Sequence, residues 1–243
     1  MSSKNILPNI YKLLDPTQYA PLLPDLKDKL NSLQPNYVSY QKEIHRDSKF
    51  AICHYTISVD GTEIILKYDP EKSKKTSKEK KTHTDPSLLD CPSIQAVLKQ
   101  FLSDIGDTTL TRVEVKLIQT QTFPFIFNPH RDSQFWRLRH IQYLATVLIS
   151  SGGIYGGNMQ LFHSDNDQLG PFHVIETLPT EPGTGYIVHE PPHQIFHGMK
   201  SAFQDTEDAH RGALLLRFFN PQPFICYDRT PCRSSSKNDR LSK

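Results

Sequence analysis

Eleven histidines occur in 243 residues, and four of them, His189, His193, His197 and His210, fall in one short stretch late in the chain. Two imidazoles and one carboxylate can take one face of a transition-metal ion and leave the other face open to small reactants. The element His-x-Asp presents two such ligands on the same side of a strand end. It occurs four times, at His45/Asp47, His83/Asp85, His130/Asp132 and His163/Asp165, and the tetrapeptide HRDS occurs at both 45 and 130. The motif alone therefore selects nothing.

Context separates the four. A mononuclear iron site needs a second histidine from a distant strand, and a cation to hold the far carboxylate of a cosubstrate. His45 lacks a histidine at a suitable distance, since none lies between His83 and His130. His83 abuts a lysine-rich segment. His163 could pair with His210 and Arg217, but few strands fit between them. After His130/Asp132 come a strong strand, a Gly156-Gly157 turn, NMQLF, and PGTGYIVHEPPHQIFHGM, in which His197 lies 65 residues after Asp132. Arg211 follows 14 residues later at the start of the last strand, with Arg217 on the same strand face as its competitor. His189 and His193 read as structural histidines, with His193 the fallback for His197. Phe135 and Trp136 read as packing residues.

These ligands need a rigid frame, and the hydrophobic pattern supplies one. Leu22, Leu23, Leu26, Leu30 and Leu33 recur at helical spacing, giving a helix over about 24 to 33. FAICHYTISV and TEIILKY flank an Asp60-Gly61 turn and form a hairpin. Residues 71 to 82 hold six lysines, two glutamates and no apolar residue, so a mobile loop is expected. Ser93 can cap a helix with Ile94, Val97, Leu98, Phe101, Leu102 and Ile105 on one face, closed by Gly106. From Arg112 the segments RVEVKLIQTQTF, HIQYLATVLIS, NMQLFH, HVIETL, TGYIVH and RGALLLRFF have strand character. The pattern predicts an α+β fold, a jelly roll flanked by helices. One domain is expected over 1–226, its helical and hairpin part at 1–111 and its core at 112–226, followed by a disordered basic tail at 227–243.

Composition narrows the partners. Lys and Arg number 28 against 26 Asp and Glu, a net charge of +2, which gives no global reason to expect a nucleic acid. No apolar run approaches the roughly 20 residues that span a bilayer, and MSSKNILPNIYKLLDP lacks the order of a signal peptide. A cytosolic protein is expected, with Cys53, Cys91, Cys226 and Cys232 reduced. The lysine run reads as a solvated surface.

NPHRDSQF, the GGNMQLF strand, PGTGYIVHE with FHGM, and RGALLLRF together resemble the Fe(II)- and 2-oxoglutarate-dependent dioxygenases, whose core is a double-stranded β-helix of cupin type. The resemblance covers roughly residues 112 to 220. Within that superfamily the spacing looks most like the bacterial enzymes that hydroxylate free amino acids such as isoleucine, and RDSKFAICHYTIS resembles the same subgroup. The resemblance implies His130, Asp132 and His197 as iron ligands and Arg211 as the partner of the distal carboxylate of 2-oxoglutarate. It also implies O2 as co-reactant, ascorbate as a helpful reductant, and a small-molecule substrate. Many members place Ser or Thr two residues after the arginine, whereas this chain has Ala213. A second carboxylate partner must then come from elsewhere, with Tyr143 and Thr146 as candidates. Two alternatives stay open: the same chemistry on a protein side chain or alkylated base, and a jelly-roll binding module without turnover.

Overall fold

A strand whose side chains alternate between faces can cover helices with one face and a second sheet with the other. The computed structural model describes residues 10–34, 49–80, 82–121, 123–134, 141–164, 170–190 and 195–221. Its strands are β1 (Tyr11–Leu13), β2 (Lys49–Asp60), β3 (Glu63–Tyr68), β4 (Arg112–Thr120), β5 (Phe125–His130), β6 (Ile141–Gly152), β7 (Ile154–Gly156), β8 (Met159–Ser164), β9 (Phe172–Thr177), β10 (Gly185–His189), β11 (Ile195–Gln204) and β12 (His210–Phe219). They form a seven-stranded sheet, β1-β10-β6-β12-β4-β2-β3, and a smaller sheet, β5-β11-β8-β9, with β7 on β11. Every pairing is antiparallel. This is the double-stranded β-helix with flanking helices that the sequence predicts.

The alternation is visible on the central strands. Ala145, Val147 and Ile149 of β6 and Leu214, Leu216 and Phe218 of β12 pack toward the helices. Leu144, Leu148 and Leu215, with Tyr186 and Val188 of β10, face the smaller sheet and pack on its Met159, Leu161 and Ile195. The outer layer comprises α1 (Pro16–Tyr19), α2 (Pro24–Asn31) and α4 (Pro92–Ile105). Helix α4 buries Ile94, Val97, Leu98, Phe101 and Leu102, and Gly106 closes it in the left-handed conformation at φ 69° while its N–H donates to the Leu102 carbonyl. Its start is Cys91 and Pro92 rather than the expected Ser93 cap. Proline suits the first turn because its missing N–H would have no intrahelical partner there.

The lysine-rich segment departs most from expectation: instead of a loop it forms α3 (Pro70–Glu79). Asp69 caps it by accepting from Lys72 N–H, and Pro70 occupies the first turn. With no apolar side chain to bury, it docks through hydroxyls one turn apart. The His54 N–H donates to Ser73 Oγ at 2.9 Å, and the Ser77 hydroxyl donates to the Ile52 carbonyl at 3.2 Å. Serines at i and i+4 share a helix face, and an apolar count does not register them.

Four strands lie outside the segments read from the sequence: the short β1 and β7, and the longer β5 and β11. The first core strand ends at Thr120 and β5 follows separately, while β11 is a regular strand despite the mixed composition of IFHGMKSAFQ. Cys53 is buried and Cys91 half-buried, both as free thiols. Among the described residues no helix is long and apolar enough to cross a membrane. The basic tail, Cys226, Cys232, His45, Asp47, Phe135, Trp136, Asp165 and His193 lie outside the described residues.

Candidate metal centre

His130 ends β5, Asp132 opens the short 3-10 turn Asp132–Gln134, and His197 lies on β11 directly opposite His130. The close approach of these two strands depends on Gly198. A Cβ there would stand 2.7 Å from the Phe127 carbonyl oxygen and 3.2 Å from Pro129 N. The ordered pattern HG in the sequence thus combines a ligand with the small residue that lets its neighbour strand reach it.

The three side chains converge. Asp132 Oδ1 lies 3.6 Å from His130 Nε2 and 3.7 Å from His197 Nε2. One potential ligand atom from each residue falls within 4.8 Å of the others, a spread that a single ion with bonds of about 2 Å can touch. His130 Nδ1 sits 2.8 Å from the Asn128 carbonyl. Because that oxygen only accepts, the proton resides on Nδ1 and the Nε2 lone pair faces the centre. Burial, reinforced by His130, pulls the His197 pKa down to about 3, so its imidazole is neutral, as a ligand must be. Burial alone would raise the Asp132 pKa, but Arg217 and His130 outweigh it and hold the carboxyl ionised. Two imidazoles and a carboxylate fit a divalent transition metal.

Arg217, which the sequence offered as a competitor of Arg211, instead holds the metal-facing carboxylate. Its Nε donates to Asp132 Oδ2 at 2.6 Å, and its Nη1 donates to Glu114 Oε1. Glu114 also accepts from Lys80 Nζ at 3.3 Å, linking α3 to the site. Burial raises the pKa of Glu114, but Arg217, Lys80 and His54 bring it down to about 2. Arg217 therefore leaves Oδ1 as the oxygen of Asp132 that faces both histidines.

Arg211 lies on the same inner face of β12, opposite Thr120 of β4. Its Nε is buried without a hydrogen-bond partner among the described residues, and burial brings its pKa down to about 10. Tyr186, which the sequence reading did not single out, is within electrostatic reach of both Arg211 and Asp132, with its ring 6.1 Å from that of His197. Burial raises its pKa, so the phenol keeps its proton. Glu190 was missed as well. Its Oε2 accepts from the Ser133 hydroxyl at 2.6 Å and anchors the turn that carries Asp132. The period-two run Tyr186, Val188, Glu190 was the available signal.

The two candidate second partners part company. Thr146 is buried on the inner face, paired with Tyr186. Tyr143 projects to the opposite face, where it stacks on His189 at 4.6 Å and meets Asp107, so the alternation of β6 removes it from the site. His163 pairs with His173 across β8 and β9, and His210 Nδ1 contacts the Asp208 carbonyl. Neither joins a metal-competent cluster among the described residues.

No protein-family model and no curated protein matches the sequence. Solved structures do resemble the fold. A bsmA homologue from Methylobium petroleophilum aligns over 90% of this chain and 91% of its own at 13% identity, with a TM-score of 0.60. The protein IDO from Bacillus thuringiensis aligns over 88% and 95% at 15% identity, TM-score 0.59. The Fe(II)/α-ketoglutarate-dependent dioxygenase TqaL aligns over 88% and 84% at 14% identity, TM-score 0.55. At such identities these likenesses establish the shared architecture.

Proposed function

We propose that the chain is an Fe(II)- and 2-oxoglutarate-dependent dioxygenase that hydroxylates a C–H bond of a free amino acid or similar small molecule in the cytosol. The observation that carries this reading is the convergence of His130, Asp132 and His197 within 4.8 Å inside a double-stranded β-helix. The likeness to TqaL, an Fe(II)/α-ketoglutarate-dependent dioxygenase, supports the cofactor part of this reading. Bound Fe(II) supplies the oxidation: with 2-oxoglutarate and O2 it yields succinate, CO2 and the hydroxylated substrate.

The chain's own residues divide the remaining work. His130 and His197 offer their Nε2 atoms and Asp132 offers Oδ1, held in place by Arg217. Arg211 receives the distal carboxylate of 2-oxoglutarate, because its buried Nε lacks a hydrogen-bond partner among the described residues and its planar fork matches a carboxylate. Thr146 and the protonated Tyr186 add hydroxyl donors on the same inner surface. Leu144, Leu148, Met159, Leu161 and Val188 line the interior beside them and exclude water. The test is a mass-spectrometric screen of amino acids with Fe(II), 2-oxoglutarate and ascorbate. Succinate formed in step with a product 16 mass units heavier than its substrate is expected. Failure to consume 2-oxoglutarate under any condition would leave the chain a binding module.

A further inference from the structure

Lys116 is the inner-face cation for which the proposed chemistry has no use. It follows Glu114 by two residues on β4, so both side chains project to the face that holds Arg217 and Asp132. Its ammonium stands 4.6 Å from the centroid of the Phe50 ring. None of the ion pairs among the described residues includes it. The neighbouring carboxylates are already committed: Glu114 to Arg217 and Lys80, Asp132 to Arg217 and the two histidines. Lys116 is half-buried on β4, the strand between β2, on which α3 packs, and β12, which carries Arg211 and Arg217. Burial, with Arg217 and Lys80 nearby, brings its pKa down to about 8, the expected response of a cation short of counter-charge.

The charge inventory around the ligands points the same way. The cations nearest the ligands, Lys80, Lys116, Arg131, Arg211 and Arg217, outnumber the carboxylates Asp132, Glu114 and Glu190. A metal dication and the 2-oxoglutarate dianion cancel one another. Once Arg211 has taken the distal carboxylate, Lys116 still lacks an anion. An ammonium over an aromatic face holds its orientation through the ring quadrupole while leaving N–H donors directed elsewhere.

Building on the dioxygenase reading, we propose that Lys116 receives a carboxylate of the substrate and so selects anionic small molecules, with Phe50 holding its ammonium in place. The substrate class is then carboxylic acids, free amino acids among them, and not their neutral derivatives.

The experiment uses the full chain charged with Zn(II) and 2-oxoglutarate, which cannot turn over. Calorimetry first measures 2-oxoglutarate binding in wild type, Lys116→Met, Lys116→Arg and Arg211→Ala. The twenty protein amino acids are then titrated as free acids, and the tightest two are repeated as primary amides. The expected result is that wild type prefers acid to amide by at least tenfold, that Lys116→Met erases this preference while binding 2-oxoglutarate within about twofold of wild type, and that Lys116→Arg retains part of it. A chain that binds 2-oxoglutarate but no acid, or binds acid and amide alike, overturns the inference and leaves the dioxygenase reading standing. Loss of 2-oxoglutarate affinity in Lys116→Met as large as in Arg211→Ala overturns it too, because Lys116 would then belong to the cosubstrate. A chain that binds neither Zn(II) nor 2-oxoglutarate overturns both readings.

Discussion

Asp132 can serve a metal only because each of its oxygens has its own neighbours: Arg217 takes Oδ2, and the two histidines flank Oδ1. Removing either histidine should leave the fold intact, whereas Asp132→Ala also deprives the buried Arg217 of a partner and is expected to lower stability, so each variant is checked for cooperative unfolding. His130→Ala, Asp132→Ala and His197→Ala are each expected to abolish turnover and to lower bound iron, measured by metal analysis, while His45→Ala and His163→Ala retain both. Full activity in any of the first three would refute the assignment. Arg211→Ala is expected to raise the apparent constant for 2-oxoglutarate on the order of a hundredfold, equivalent to about 3 kcal/mol, with Arg211→Lys recovering part. Succinate production against 2-oxoglutarate concentration reads this directly. His54 gives a pH prediction. Burial lowers its pKa to about 4 against 6.5 in the unfolded chain, with Glu114 partly opposing the shift. Between these values the unfolded state binds more protons, so stability rises with pH and is lost as pH falls from 6.5 toward 4. The loss attributable to His54 is on the order of 3 kcal/mol. Denaturant midpoints across that range should flatten in His54→Gln relative to wild type.

Among the elements, α3 decides whether a charge run is mere surface. A solvated loop could be deleted at little cost, but this helix satisfies the His54 N–H through Ser73, accepts nothing apolar, and ends in Lys80 on Glu114. Deleting residues 72 to 81 is therefore expected to lower stability and to weaken activity, because Glu114 and, through it, Arg217 lose a partner. Ser73→Ala is the finer probe. It leaves the buried His54 N–H unpaired and should cost about 1–3 kcal/mol in urea denaturation. A neutral outcome for both would restore the view of this segment as an exposed loop. The helix was illegible in the sequence because its buried face is built of serines, whereas α4 was legible because Ile94, Val97, Leu98 and Phe101 repeat at helical spacing.

For the whole molecule, metal and fold are coupled by mass action. Three ligands from β5, the following turn and β11 are brought together only in the folded chain, so an ion that binds them stabilises it. Fe(II) under anaerobic conditions at about 100 times its Kd should add about 2.7 kcal/mol, raising Tm by roughly 5–10 °C. A chelator should reverse the shift and abolish activity, with Fe(II) and not Zn(II) restoring turnover. The likeness to other double-stranded β-helix proteins comes at 13–15% identity, so the architecture persists where few side chains do. What the linear order determined alone was the alternation that makes two sheets, the apolar stripe of α4, and the succession His130, Asp132, His197, Arg211, because period and spacing survive without coordinates. Tertiary structure decided the rest. The burial of Arg217 between Asp132 and Glu114, the entry of Tyr186 and Lys116 to the inner surface, and the exit of Tyr143 from it all depend on which strands pair and which face turns inward. Those pairings join residues as far apart as Glu114 and Arg217, separated by 103 positions, and no local pattern specifies the register that places them opposite one another.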